Sequence, residues 1–445
     1  ALGGDSTIGI VPADLKLHAH GVAPMTVSRL MLVNSVWFAS SFVWFLLLIV
    51  IVPSQLAALV GEERKGSAVG AVLGCSTPFA LVGAPLAGVL SDRVRSRHGR
   101  RRPLMVPGAI GFALFVFALV TKPTSVFEYG VLYVGLRLAD LLLSAPFNGL
   151  IADVTPAELR GAASGIMGAA ANLGNFAGAA VGVQYTTIGP TVTGLGMATV
   201  LVTATAATCI AAPEADMSRS APPAPLQLRS LLQDLIAPLR NADFAWVFAT
   251  RLIFQMGVYT VQEFLEFYYR DGVDLPEGTT PETAVSYGML CLMTSAVITA
   301  AGGGALSDYL NGQRKVLVYI AGSTMAVSCV CVVMVGRSLA STLVLLTAFG
   351  LGYGCYLAVD FAMVLDVLPD PSDAAKDMAV WSIALTLPQM LATPTGGVLL
   401  DTFQRIGKAD GAHPDSVLGY QVVFVLAAGY LLLSTVLVRN IKGVK

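Results

Sequence analysis

Twelve apolar stretches, each long enough to cross a bilayer, run through the 445-residue chain at 29–52, 68–90, 103–121, 128–152, 160–185, 190–212, 244–268, 284–306, 315–335, 339–367, 377–400 and 417–438. Spanning ~30 Å of hydrocarbon takes about 20 helical residues. Backbone groups in lipid are satisfied only within helices or closed barrels, and no stretch alternates with the period of two that barrel strands need. The chain therefore reads as an all-α integral membrane protein with twelve transmembrane helices. Composition agrees, with 12% charged and 55% hydrophobic residues, where a soluble domain carries roughly 25% charged.

Charge in the loops sets the orientation. Loops after even-numbered spans carry Arg93, Arg95, Arg97, Arg100, Arg101 and Arg102, then Arg160, then Arg314 with Lys315, then Lys376, and the tail adds Arg439, Lys442 and Lys445. Opposite loops are poor in cations or balance them, as where Arg64 and Lys65 follow Glu62 and Glu63. Loop cations favour the cytoplasm, so both termini are expected there. The formal net charge of −1 removes any general attraction to nucleic acid. The polar segment 213–243 reads as a cytoplasmic linker. It separates a six-helix bundle at 29–212 from a second at 244–445 with a short tail, after a cytoplasmic N-terminal segment at 1–28.

Internal similarity supports duplication of the halves. GVLSDR at 88–93 returns as GALSDY at 304–309, and ADVTP at 152–156 as LDVLP at 365–369, at spacings of 216 and 213 residues. Duplicated halves pack as pseudo-symmetric bundles around a midplane site.

The segment GVLSDRVRSRHGRRRP at 88–103 resembles the loop signature of the major facilitator superfamily. Its arginine-rich form is similar to glycoside/pentoside/hexuronide cation symporters and plant-type sucrose:proton symporters. The resemblance extends to LIADVTPAELRGAASG at 150–165, FYYRDGV at 267–273 and AVWSIALTLPQMLATPTGG at 379–397. It implies a major facilitator fold and a gating role for the loop. Asp92 and Arg93 are expected to latch the inner gate, Asp92 accepting bonds from the neighbouring bundle, with Asp308 its counterpart in the second half. Gly88 and Gly99 would permit close helix approach and a tight turn, and Arg95, Arg97, Arg100, Arg101 and Arg102 would act mainly as membrane anchors. Two departures narrow the substrate. The second span holds no acid before Asp92, against a sodium site of the sugar-symporter kind, and Asn148 stands where sucrose symporters carry Arg.

Polar residues inside the spans are costly and face a cavity or a partner. Arg137 and Asp140 share a helical face, as a self-neutralising pair or as a cavity pair that opens during transport. In RLIFQMGVYTVQEFLE at 251–266, Arg251, Gln255, Tyr259, Gln262, Glu263 and Glu266 form one polar stripe. Glu266 reads as a solvated rim carboxylate and Glu263 as the deeper group. Asp360 either titrates or pairs with Arg251. Asn34, Asn172, Asn175, Trp381 and Gln389 suit sugar hydroxyls and rings, and equally helix-to-helix bonds. A proton carrier needs a carboxylate whose proton affinity changes through the cycle, and the expected order is Asp140, Glu263, Asp360.

The six cysteines fall in or beside apolar spans, so neither a disulfide framework nor a metal site is expected. No phosphate loop occurs. The reading is a non-enzymatic, monomeric, proton-coupled transporter without cofactors, in contact with lipid, moving a glycoside or other small polyhydroxylated solute. The alternatives are a proton-driven exporter of an amphipathic compound or lipid, and a membrane scaffold or assembly factor that has lost transport.

Overall fold

The computed structural model describes residues 26–121, 123–155, 159–214, 216–218, 237–309, 313–367, 374–409 and 416–443. Most of the N-terminal segment and of the 213–243 linker lies outside them. The long helices are α1 (Ser28–Val60), α2 (65–93), α3 (Arg102–Thr121), α4 (Val126–Val154), α5 (Arg160–Val183), α6 (Pro190–Ala211), α7 (Ala242–Asp271), α8 (Pro281–Tyr309), α9 (Arg314–Val335), α10 (Leu339–Asp366), α11 (Ala374–Ala409) and α12 (Leu418–Leu437). Counted over the described residues, ten of them are long and apolar enough to cross a membrane, and α2 and α4 are the other two. The second is interrupted at Ser76, between Lys65–Cys75 and Thr77–Arg93, and the fourth carries Glu128, Arg137, Asp140 and Asp153.

Local chemistry explains the boundaries. Ser125 caps α4 by accepting from Glu128 N, Asn241 caps α7, and Ser338 forms a reciprocal capping box with Ser341 at α10, each satisfying orphan N–H groups. The first helix runs on to Val60, beyond the expected end at 52, through a π-helical segment at Leu46–Ile51. Pro53, two residues beyond its end, has no N–H for the carbonyl of Ile49, which loosens the register there. The longest, α11, continues through Pro388 and Pro394.

Packing repeats between the halves. Helix α1 packs on α5 as α7 does on α11, α2 on α4 as α8 on α10, and α3 on both α4 and α6 as α9 on α10 and α12. The result is two pseudo-symmetric six-helix bundles. They meet chiefly through α2 against α11 and α5 against α8. At the first seam a Cβ on Gly397 would run into the backbone of Gly66, so the small residues there let two backbones touch.

Candidate functional site

Between the bundles lies a cavity of about 310 Å³. Its polar lining comes from Asn172 and Asn175 on α5, Tyr259, Gln262 and Glu263 on α7, Tyr353 on α10 and Gln389 on α11. Its apolar lining includes Trp44, Phe45, Leu48 and Ile49, around the π-helical segment of α1, with Met289, Leu292 and Met293 on α8. The cavity is amphipathic, with apolar side chains in the majority. Asn172, Asn175, Tyr259, Glu263 and Gln389 thus come together as the sequence suggested. Trp44, Tyr353 and the two methionines carried no sequence signal, since apolar residues in an apolar span look alike.

Other expected site residues lie elsewhere. Asn34 is fully buried at a break in α1, where its amide donates to Leu30 O at 2.8 Å. Gln255 is fully buried and does not line the cavity. Arg251 forms a direct ion pair with Asp360, its guanidinium 3.4 Å over the Trp381 ring. Tyr356 donates to Asp360 at 3.0 Å and stacks on Phe254 with centroids 3.6 Å apart. These contacts bind α7, α10 and α11 together.

The pair in α4 is looser. Arg137 and Asp140 are 3.9 Å apart, and one oxygen of Asp140 and the Nε of Arg137 have no hydrogen-bond partner among the described residues. The Arg137 guanidinium sits 4.1 Å over Trp44, whose ring also borders the cavity. Asp140 does not line the cavity.

Glu263 lines the cavity directly, is 1% exposed, and has one oxygen without a partner. Among the described residues it makes no ion pair within 4 Å. Glu266, expected as a solvated rim group, is instead 0% exposed and ion-paired with Arg270, which also lies 3.1 Å from Glu282 at the start of α8. The sequence showed a helix end there but not the α8 residue folded over it.

At this end of the molecule the halves are tied to each other. Lys65, 1% exposed, pairs with Glu62 and with Asp271 of the other half at 2.7 Å. Asp271 also accepts from Tyr420 at 2.5 Å. Asp401 accepts the backbone N–H groups of Gly66 and Ser67 at 3.0 and 2.7 Å, capping α2 from α11. Ser54 donates to Glu282 at 2.5 Å, and Thr283 to Val183 O at 2.9 Å. None of this was read from the sequence, where Lys65 sits in a run of charges that resembles a solvated loop.

At the opposite end the ion pairs among the described residues lie within one half or the other, and one expectation is corrected. Asp92 pairs with Arg101 of its own bundle at 2.7 Å. Arg101 is not a spare anchor: it is buried, and it also holds Asp153 at 2.9 Å and Ser91 at 3.1 Å. Arg100 joins Asp153 at 2.7 Å, and Arg102 donates to Ala212 O. The guanidiniums are drawn in because the end of α4 places a carboxylate beneath them. The second half repeats the device with Arg314 on Asp366, and Lys315 donating to Ile441 O at 2.5 Å. Asp92 and Asp308 are each the penultimate residue of their helix, and Arg93 is the exposed last residue of α2.

The glycines of the motif divide. Gly99 has φ +93°, and a Cβ there would strike the Glu214 carboxylate. Glu214 accepts from Arg101 N at 3.1 Å. Burial pushes its carboxyl above the usual range, against the pull of those N–H donors and of Arg101 and Arg102. Gly88, expected at a close helix approach, has open space around its missing Cβ among the described residues.

Residues 30–370 and 280–442 match the sequence profile of the Major Facilitator Superfamily. The chain is 35% identical over 97 residues to an uncharacterized symporter of Synechocystis sp., covering 19% of this chain and 18% of that protein. It is 32% identical over 134 residues to the class E tetracycline resistance protein of Escherichia coli, covering 30% and 31%. The matched stretches thus span less than a third of either relative's length. Among solved structures, a bacterial homolog of the human lysosomal transporter Spinster, inward-facing and unoccupied, superposes with TM-score 0.70 at 14% identity, over 94% of this chain and 98% of that one. The nucleoside transporter NupG superposes with TM-score 0.66 at 14% identity, over 94% and 100%. The profile match runs from α1 to the end of α12, and with the two six-helix bundles and the seams between them it places this chain in the Major Facilitator Superfamily of membrane transporters.

Proposed function

We propose that the protein is a proton-coupled secondary transporter of a small amphipathic solute, working by alternating access around the cavity between the bundles. The carrying observation is the cavity lining, in which Glu263 and four amides share the wall with Trp44, Met289, Leu292 and Met293. A free sugar would set its hydroxyls against those apolar side chains without hydrogen-bond partners, at a cost of roughly 1–3 kcal/mol for each unsatisfied group. A glycoside suits the cavity when its aglycone is apolar, and the exporter reading suits it without that condition. Glu263 replaces Asp140 as the leading proton carrier, because it alone of the three candidates borders the cavity. The arginine-rich end, with both termini, is assigned to the cytoplasm by its cations. The cross-half contacts then close the outer side, and the cavity serves the cytoplasm. No cofactor is required, and lipid is the surrounding partner of a monomer.

Proteoliposomes under an imposed pH gradient test this reading over a panel of sugars, glycosides and amphipathic compounds. The expected result is flux of an amphipathic compound that a protonophore abolishes and that Glu263→Gln lacks. Flux of free sugars alone would return the substrate to the polyhydroxylated class. Flux indifferent to the protonophore would refute coupling, and no flux with any compound would favour the scaffold.

A further inference from the structure

Among the described residues, the membrane-spanning part of the structure carries, between its two ends, two guanidinium groups and three carboxylates: Arg137, Arg251, Asp140, Glu263 and Asp360. Arg251 is committed to Asp360 by direct contact, by Tyr356 and by the Trp381 ring. Arg137 lies 3.9 Å from Asp140. Pairing these leaves one negative group in excess, and it is the one that faces the cavity. Turning Arg137 toward Glu263 would only transfer the excess to Asp140. The groups that face Glu263 from its neighbours are Arg137 and Tyr133 of α4, Tyr259 of its own helix, Tyr353 of α10 and the Gln389 amide of α11. None of them supplies a second cation.

An unpaired carboxylate in a buried site costs several kcal/mol unless a proton or a positive charge accompanies it. We propose that the transported solute is an amphipathic organic cation whose charged nitrogen replaces the proton on Glu263, so that the two travel in opposite directions. The inference rests on the amphipathic reading of the cavity and adds the sign of the substrate's charge and the sense of the coupling. A neutral solute would occupy the amides and leave the carboxylate uncompensated, and an organic anion would add a second negative charge beside it. A cation balances the charge at the site. Its apolar body can lie against Trp44, Met289 and Met293, whose ring face and thioethers are suited to a quaternary or aromatic ammonium. Because proton and cation neutralise the same group, each displaces the other, and the carrier returns loaded with one or the other.

The test uses two probes on the purified full chain: benzyltrimethylammonium as the cation and 4-nitrophenyl glucoside as a neutral amphipath. In weakly buffered solution with a pH-sensitive dye, cation binding should release about one proton per site where the free carboxyl is protonated. Affinity for the cation should fall roughly tenfold or more in Glu263→Gln and be largely retained in Glu263→Asp. A thermal melting temperature of Glu263→Gln near that of wild type reports that the variant keeps its fold. Glucoside binding without cation binding, or cation binding that neither releases a proton nor depends on Glu263, overturns the inference and leaves the amphipathic reading standing. Failure of both probes to bind overturns that reading and the inference with it.

Discussion

The two ends of the molecule use similar residues for opposite purposes. At one end Lys65 reaches Asp271 across the seam and Asp401 caps α2 from α11. At the other, Arg101 is held by Asp92 and Asp153 of its own bundle, and Arg314 by Asp366 of its own. In the proposed alternating access, charge pairs between halves must break when the halves rock, whereas charge pairs within a half can persist through the whole cycle. The first set therefore weights the conformational equilibrium, and the second keeps each bundle rigid enough to move as a body.

Lys65→Met should give the largest effect. Removing the cation from a buried pair typically costs about 3–5 kcal/mol, here taken from the state in which this seam is joined, with the Tyr420 hydroxyl still donating to Asp271. Hydrogen exchange at Gly66 and Ser67, whose N–H groups donate to Asp401, should accelerate by at least ~100-fold, while α3 and α9 keep their protection. Loss of protection throughout the N-terminal half would show that Lys65 holds that half together and does not hold the two halves to each other.

Arg101→Gln should come next, with the opposite distribution. The side chain serves two partly exposed carboxylates, so about 2–3 kcal/mol of bundle stability is expected to go, against less than about 0.5 for the exposed Arg95→Gln. Thermal melting should fall while exchange at Gly66 and Ser67 stays near wild type. A change at the far seam as large as that of Lys65→Met would mean that the ion pairs of the arginine-rich end also set the conformational equilibrium, and the contrast between the ends would fail.

The smallest effect concerns Glu214, which fastens the start of the linker to the loop before α3. Its folded carboxyl lies above the ordinary value of 4.5, so the folded state binds more proton than the unfolded state in the window above that pH. Its contribution to stability is therefore present below pH 4.5 and declines as the pH rises through the window. Melting curves from pH 4.5 upward should show wild type losing ground to Glu214→Gln. A constant difference between the two would place the linker outside the response to pH.

Much of the fold was legible because lipid imposes length and apolarity on every crossing, and the repeated SD and DV segments announced the second half. The polar stripe of α7 was legible for the same reason, since a polar residue in a span needs a reason to be there. Within the stripe, roles were not legible. Glu263 and Glu266 are three residues apart on one face, yet one opens on the cavity and the other is sealed by Arg270. Asp140 and Asp360 each showed a plausible cation, but only Arg251 came into contact with its carboxylate. Which charges meet depends on helix rotation and on the depth at which partner helices cross, and a single sequence records neither.

The sequence by itself determined that the chain crosses the membrane many times, that its halves are duplicated, and that a positive loop follows the second helix, because hydropathy and charge are properties of residues one at a time. Only the tertiary structure decided that Arg101 is a buried strut, that Lys65 and Asp401 close the seam between the halves, and that Glu263 faces the cavity with no ion pair among the described residues. Those are properties of pairs far apart in the chain, fixed by how the helices pack against one another.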